Sequence, residues 1–331
     1  MKRFEYLDSL RGIAAMLVVV FHIWEKNTDH NNVLATFPFN VLIAGHGCVC
    51  LFFILSGFVL SYKFIGEVNQ ADPLIKAIIK RPFRLGGVVI FVSLFALIIT
   101  GKLFSIPTDI LIQIIIQNPL TFAVYDIPPL WTIGIELQGS IMVFVAMIFI
   151  NGLPVVQRIL VLTCCIFVFR NSFFDAFFFG MIIADIIKNN LVSPSKALTI
   201  VLLALLPVGL WLFAHNRESN QIGFWVGESL YSMIGAAIVF LFVCFCPATH
   251  KILSIKPLIF LGKISFSLYV SHWLIVVTYS SFFKDLMIGF PFLLQSVLLV
   301  GVSVLVGWLL TIAIDNPAVK FAGVVASKFK S

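Results

Sequence analysis

The sequence predicts an all-α, polytopic membrane helix bundle with about ten transmembrane helices, on three observations. Hydrophobic residues make up 60% of the 331-residue chain and charged residues only 11%, with a mean hydropathy of +1.08. A water-soluble globule does not carry that balance. Apolar stretches of spanning or near-spanning length recur along the whole chain. The basic residues segregate as well. With the amino terminus cytoplasmic, sixteen of the 22 Lys and Arg fall on the inner side and five on the outer, Arg11 lying within the first apolar stretch. The net charge of +7 therefore reads as topological basic loops, and no nucleic-acid partner is expected.

The apolar segments fall, in order, near 8–25, 45–64, 83–100, 130–150, 157–170, 172–188, 196–214, 228–246, 263–282 and 291–314. The fifth and sixth are short and are separated only by Arg170-Asn171. The stretch 109–117 is too short to span and is expected to be interfacial or re-entrant. The first stretch has Arg11 inside it and no small-residue cleavage site after it, so it is expected to stay as a membrane helix. An even number of spans puts both termini in the cytoplasm. No internal repeat or low-complexity linker interrupts the chain, and 1–331 reads as one membrane domain. The six Cys form three close pairs, Cys48/Cys50, Cys164/Cys165 and Cys244/Cys246, without the spacing of a metal or redox site. They read as small buried hydrophobes, with a disulfide at Cys48 or Cys50 as the alternative.

Helix one carries the first functional signal. Ionisable groups are expensive in hydrocarbon, so Arg11 and His22 are functional candidates by default. Eleven residues are close to three turns, which sets the two side chains within about 20° on one face and roughly 16 Å apart along the axis. Asp8, one turn below Arg11, is placed to pair with it. Taken alone, Arg11 reads equally well as a snorkelling cation and His22 as an interfacial histidine.

The run Lys80-Arg81-Pro82-Phe83-Arg84 is expected to open helix three, with Pro82 in its first turn. Free backbone N–H groups beside Arg81 and Arg84 would then suit phosphate, although an ordinary positive-inside anchor accounts for the same residues. In helix four, Trp131 marks the outer interface and Glu136 lies more than one turn inside, where a carboxylate needs a partner. A contact between Glu136 and His22 is expected from their similar depth. In helix two, His46 lies near the outer end, and Ser56 and Gly57 are small enough for close helix approach. Nothing in the sequence forces a base near Ser56. Helix nine carries Tyr269 and His272, expected near mid-membrane as lining or hydrogen-bonding residues.

Several segments resemble the acyltransferase-3 family of integral-membrane O-acyltransferases. Tyr6-Leu-Asp-Ser-Leu-Arg-Gly-Ile-Ala-Ala through Phe21-His22 is similar to the family's opening signature, and Leu51-Phe-Phe-Ile-Leu-Ser-Gly-Phe58 to its second-helix motif. Arg81-Pro-Phe-Arg84 resembles its Arg-x-x-Arg pair. Leu130-Trp-Thr-Ile-Gly-Ile-Glu136, Phe266-Ser-Leu-Tyr-x-x-His272 and Asp315-Asn-Pro317 resemble later segments, in the same order. Cys50 stands where the family often has an acidic residue, and Gln138 where a second Glu is common.

The resemblance implies transfer of an acyl group, most often acetyl, from cytoplasmic acyl-CoA, without a metal. The acceptor it implies is a hydroxyl on an extracytoplasmic glycan or lipid-linked saccharide, such as a surface polysaccharide or O-antigen, at the inner (plasma) membrane. On that reading Arg81 and Arg84 hold CoA phosphates and Arg11 flanks the pantetheine path. His22 acts as general base or forms an acyl-histidine, and Glu136 orients it. Asp8, His46, Ser56, Tyr269 and His272 support the site or line it. A proton-coupled transporter or flippase would also bury His, Glu and Arg, but would predict repeated halves or broken helix pairs, which the sequence lacks. Oligomeric state is left open by the sequence.

Overall fold

The computed structural model describes residues 4–27, 33–66, 71–99, 128–170, 172–215 and 229–328. Helices α1 (Glu5–Asn27), α2 (Gly45–Tyr62) and α3 (Ala71–Ile99) are followed by α4 (Trp131–Ile150), α5 (Val155–Val168) and α6 (Phe174–Lys188). Then come α7 (Lys196–Phe213), α8 (Ser229–Phe245), α9 (Pro247–Leu253), α10 (Lys256–Thr278), α11 (Phe292–Leu310) and α12 (Asn316–Lys328). The fold is all-α. Each of the ten predicted apolar segments coincides with a helix, while the stretch 109–117 lies outside the described residues. Among the described residues, six helical segments are long and apolar enough to cross a membrane, and α8 with α9, bent by 93°, makes a seventh where the pair is counted as one span. With 14 and 15 residues, α5 and α6 fall short of the roughly 20 that a span needs.

Two boundaries differ from the expectation. Helix α3 begins at Ala71 and not at Pro82, which sits in its interior. Hydropathy marks only the lipid-facing part of a helix, and the turns carrying Asp72, Lys76 and Lys80 extend below it. An interior Pro is tolerated in a membrane helix because neighbouring groups take up the freed carbonyl. For the same reason α10 begins at Lys256, a turn and more before its apolar run. The short helices α9 and α12 were not expected. At the α8–α9 corner, Pro247 occupies the first turn of α9. Thr249 Oγ1 donates to the Val243 carbonyl, which would otherwise be an unpaired α8 terminus, and His250 Nε2 lies 2.9 Å from the same oxygen.

Helix α2 is apolar on every side, as a helix in the middle of a bundle should be. It packs against α1, α4, α6 and α8. At its crossing with α6, a Cβ on Gly57 would meet the Phe177 carbonyl oxygen, and one on Gly180 the Ile54 carbonyl oxygen. Small residues are what bring membrane helices into backbone contact. Helix α7 lies outside, on α8, and exposes Ile200, Leu203 and Trp211 as a lipid-facing helix does. Helices α5 and α6 are clamped by a buried ion pair: Arg158 donates from Nε and Nη2 to Asp185, at 3.0 Å and 2.6 Å, and from Nη1 to the Leu153 carbonyl. All six cysteines are free, but Cys164 is exposed and Cys165 half-buried. That corrects the expectation that every cysteine is interior: this pair lies on the outward face of α5.

Candidate active site

The site is built on the contact between α1 and α10. Gly12 and Gly262 bring the two backbones together: a Cβ on Gly12 would stand 2.5 Å from the Gly262 nitrogen and 2.6 Å from the Leu261 carbonyl carbon. Ten residues further along each helix stand His22 and His272. The equal intervals show that the helices run parallel and in register, so that about 15 Å of matched rise brings the two imidazoles to one level. His22 Nδ1 lies 3.1 Å from His272 Nε2. His272 is fully buried and His22 partly so. His272 is thus level with His22.

The hydrogen bonds around the pair fix its tautomers. His272 Nδ1 is 2.6 Å from the Tyr269 carbonyl, which can only accept, so Nδ1 carries the proton and a neutral His272 presents a lone pair at Nε2. His22 Nδ1 faces that lone pair and, at 3.0 Å, the Val18 carbonyl. Both neighbours are acceptors, so His22 Nδ1 carries the proton and Nε2 is the basic nitrogen. An imidazole held this way takes a proton at Nε2 while its Nδ1–H stays hydrogen-bonded to two acceptors. Trp273 meets the His22 ring edge-on at 5.1 Å, and the Lys26 ammonium stands 5.3 Å from the Trp273 ring.

Glu136 does not join this pair. The expected contact with His22 is replaced by two others: Ser56 donates to Glu136 Oε1 at 2.8 Å, and Arg81 Nη2 donates to the same oxygen at 3.4 Å. Charge decides this, because a carboxylate inside a bundle is held better by a guanidinium and a hydroxyl than by a neutral imidazole. Ser56 therefore has a carboxylate beside it that the sequence did not foretell. Arg81 is buried, and among the described residues its Nε has no acceptor. The helix start expected beside it lies at Ala71 instead. Arg84 itself is exposed. Arg11 pairs with Asp8 at 3.9 Å, as its spacing predicts.

Tyr269 ties the two clusters together. Its carbonyl accepts from His272, while its hydroxyl accepts from Thr132 at 2.9 Å and donates to the Pro129 carbonyl at 3.3 Å. The start of α4, and with it the height of Glu136, is thereby fixed to the helix that holds His272. His46 lies elsewhere, its ring against Phe173 at 5.4 Å. The sequence reading missed the imidazole pair, although the equal Gly-to-His intervals of ten residues were a signal for it. It also missed the Arg158–Asp185 clamp, for which the sequence carries no local sign.

The chain matches the acyltransferase-3 family model, described as an acyltransferase domain, over residues 4–312. Neither curated proteins nor solved structures give a match. The matched region holds both histidines, the Glu136 cluster and the helices that position them. The chain therefore belongs to the acyltransferase-3 family and is an integral-membrane acyltransferase.

Proposed function

We propose that the protein is an O-acyltransferase that moves an acyl group, acetyl in the simplest case, from cytoplasmic acyl-CoA to a hydroxyl of an extracytoplasmic glycan. The observation that carries this reading is the His22–His272 pair, which leaves His22 Nε2 as an oriented base near the end of α1. The acceptor hydroxyl gives its proton to His22 Nε2 as its oxygen attacks the thioester carbonyl. The C–S bond then breaks, the thiolate recovers the proton from His22, and the products are the glycan ester and CoA thiol. His272 accepts from His22 Nδ1–H and keeps the ring turned, and so is a positioning residue. Arg11 and Arg84 supply positive charge on the inner half, and Glu136 with Ser56 and Arg81 braces α2, α3 and α4 around the acyl path. A lipid-linked saccharide or surface polysaccharide would meet this base from the outer side.

The test supplies membranes containing the protein with isotopically labelled acetyl-CoA and follows surface glycans by mass analysis. Label in an ester-linked, base-labile acetyl group that depends on the protein supports the reading. Glycans that stay unlabelled while another hydroxyl compound takes the label would contradict the acceptor class.

A further inference from the structure

Arg11, His22 and Lys26 stand in file on one face of α1. Lys26 follows His22 by four residues, about 40° round the helix and about 6 Å of rise beyond it. On the basic-residue topology this is the outer end of α1, and Lys26 is one of only five basic residues on that side. A lysine in the last turn of a helix ordinarily serves the free carbonyls there. Lys26 is placed differently. Its ammonium stands 5.3 Å from the centre of the Trp273 ring, within the reach of a cation–π contact, and Trp273 meets the His22 ring edge-on at 5.1 Å. One aromatic ring thus backs both the cation and the base. Trp273 is buried, so it is a fixed wall on one side of the ammonium, while Lys26 is exposed on the other. An aromatic face holds a cation without neutralising its charge, which stays open to an anion arriving from outside.

We propose that Lys26 selects an anionic acceptor: it holds a carboxylate or phosphate of the saccharide while a nearby hydroxyl is delivered to His22 Nε2. This rests on the glycan-acceptor reading above and narrows it to acidic saccharides. The spacing sets where the anion lies. One helical turn separates the cation from the base, about the reach of one sugar unit, so the anion belongs to the acylated unit or to its neighbour. The carboxylate of an acidic sugar and the phosphate of a phosphorylated or lipid-linked one offer the same charged oxygens to an ammonium. A neutral saccharide would leave Lys26 to water and gain nothing from it. The contact also fixes approach, because an acceptor anchored one turn outside His22 presents its hydroxyls to the base and not to the lipid.

The experiment uses the full-length protein in phosphatidylcholine nanodiscs with labelled acetyl-CoA. The acceptor probe is the surface glycan of the producing cells, freed of esters by mild base and offered intact, carboxyl-reduced, or dephosphorylated with hydrofluoric acid. One of the two treatments should raise the wild-type acceptor KM by about tenfold or more, as expected for a lost charged contact, and the treatment that does so identifies the anion. Lys26→Gln should raise the KM for the intact glycan by a similar factor and abolish the response to that treatment, with the KM for acetyl-CoA unchanged. Lys26→Arg should keep the low acceptor KM. Added sodium chloride should raise the acceptor KM of the wild type more than that of Lys26→Gln. An acceptor KM that Lys26→Gln leaves unchanged overturns the proposal, and so does a wild-type KM that neither treatment moves. A loss confined to kcat also overturns it, because Lys26 would then act only as a support for Trp273. Glycan that takes no label in any form would instead overturn the acceptor reading on which the proposal rests.

Discussion

On the proposed mechanism His22 and His272 divide two tasks. His22 offers Nε2, and His272 decides which nitrogen of His22 is offered, through a lone pair that its own bond to the Tyr269 carbonyl creates. The second task needs an acceptor at the right height, not an imidazole as such. His272→Gln places a side-chain oxygen close to where Nε2 stood, whereas His272→Leu fills the space and removes the acceptor. Glycan acylation at matched membrane abundance should therefore be retained better by His272→Gln than by His272→Leu. Equal losses in both variants would mean that His272 acts through its own proton and not by orienting His22.

Between elements, the α1–α10 crossing sets the imidazole distance. Neither Gly12 nor Gly262 has room for a side chain. Gly262→Val should force the helices apart at a cost of about 1–3 kcal/mol. It should also lower acylation well beyond its effect on abundance, because the register ten residues above is disturbed. A variant with normal specific activity would show that the histidines do not depend on this crossing. Much at this scale was legible in the sequence: the ten apolar segments, the small residues at Gly57, and Asp8 beside Arg11. The start of α3 was not, because hydropathy reports the bilayer boundary and a charged helix can cross it. The partner of Glu136 was not either, because depth along one helix says nothing about which neighbouring helix faces it. Arg81 and Ser56 reach it from helices whose packing depends on the whole bundle.

Across the molecule, the proposed transfer requires the two ends of the bundle to face different compartments, with the acyl donor on one side and the acceptor hydroxyl on the other. The sixteen-to-five distribution of basic residues argues for an inner α2–α3 end. Single cysteines at Asp72→Cys and Lys284→Cys should label oppositely: the first only after permeabilisation, the second in intact cells. Labelling of Asp72→Cys from outside would invert the orientation and with it the donor side.

At the centre of this account stands one nitrogen, His22 Nε2. General base catalysis is typically worth about 10²–10⁴-fold in rate. The direct measurement is the rate of label transfer from acetyl-CoA to glycan by membranes carrying His22→Gln, at the abundance of the unaltered protein. The account predicts a loss of at least about a hundredfold, with acetyl-CoA binding preserved. Transfer within a few-fold of the unaltered protein would contradict it.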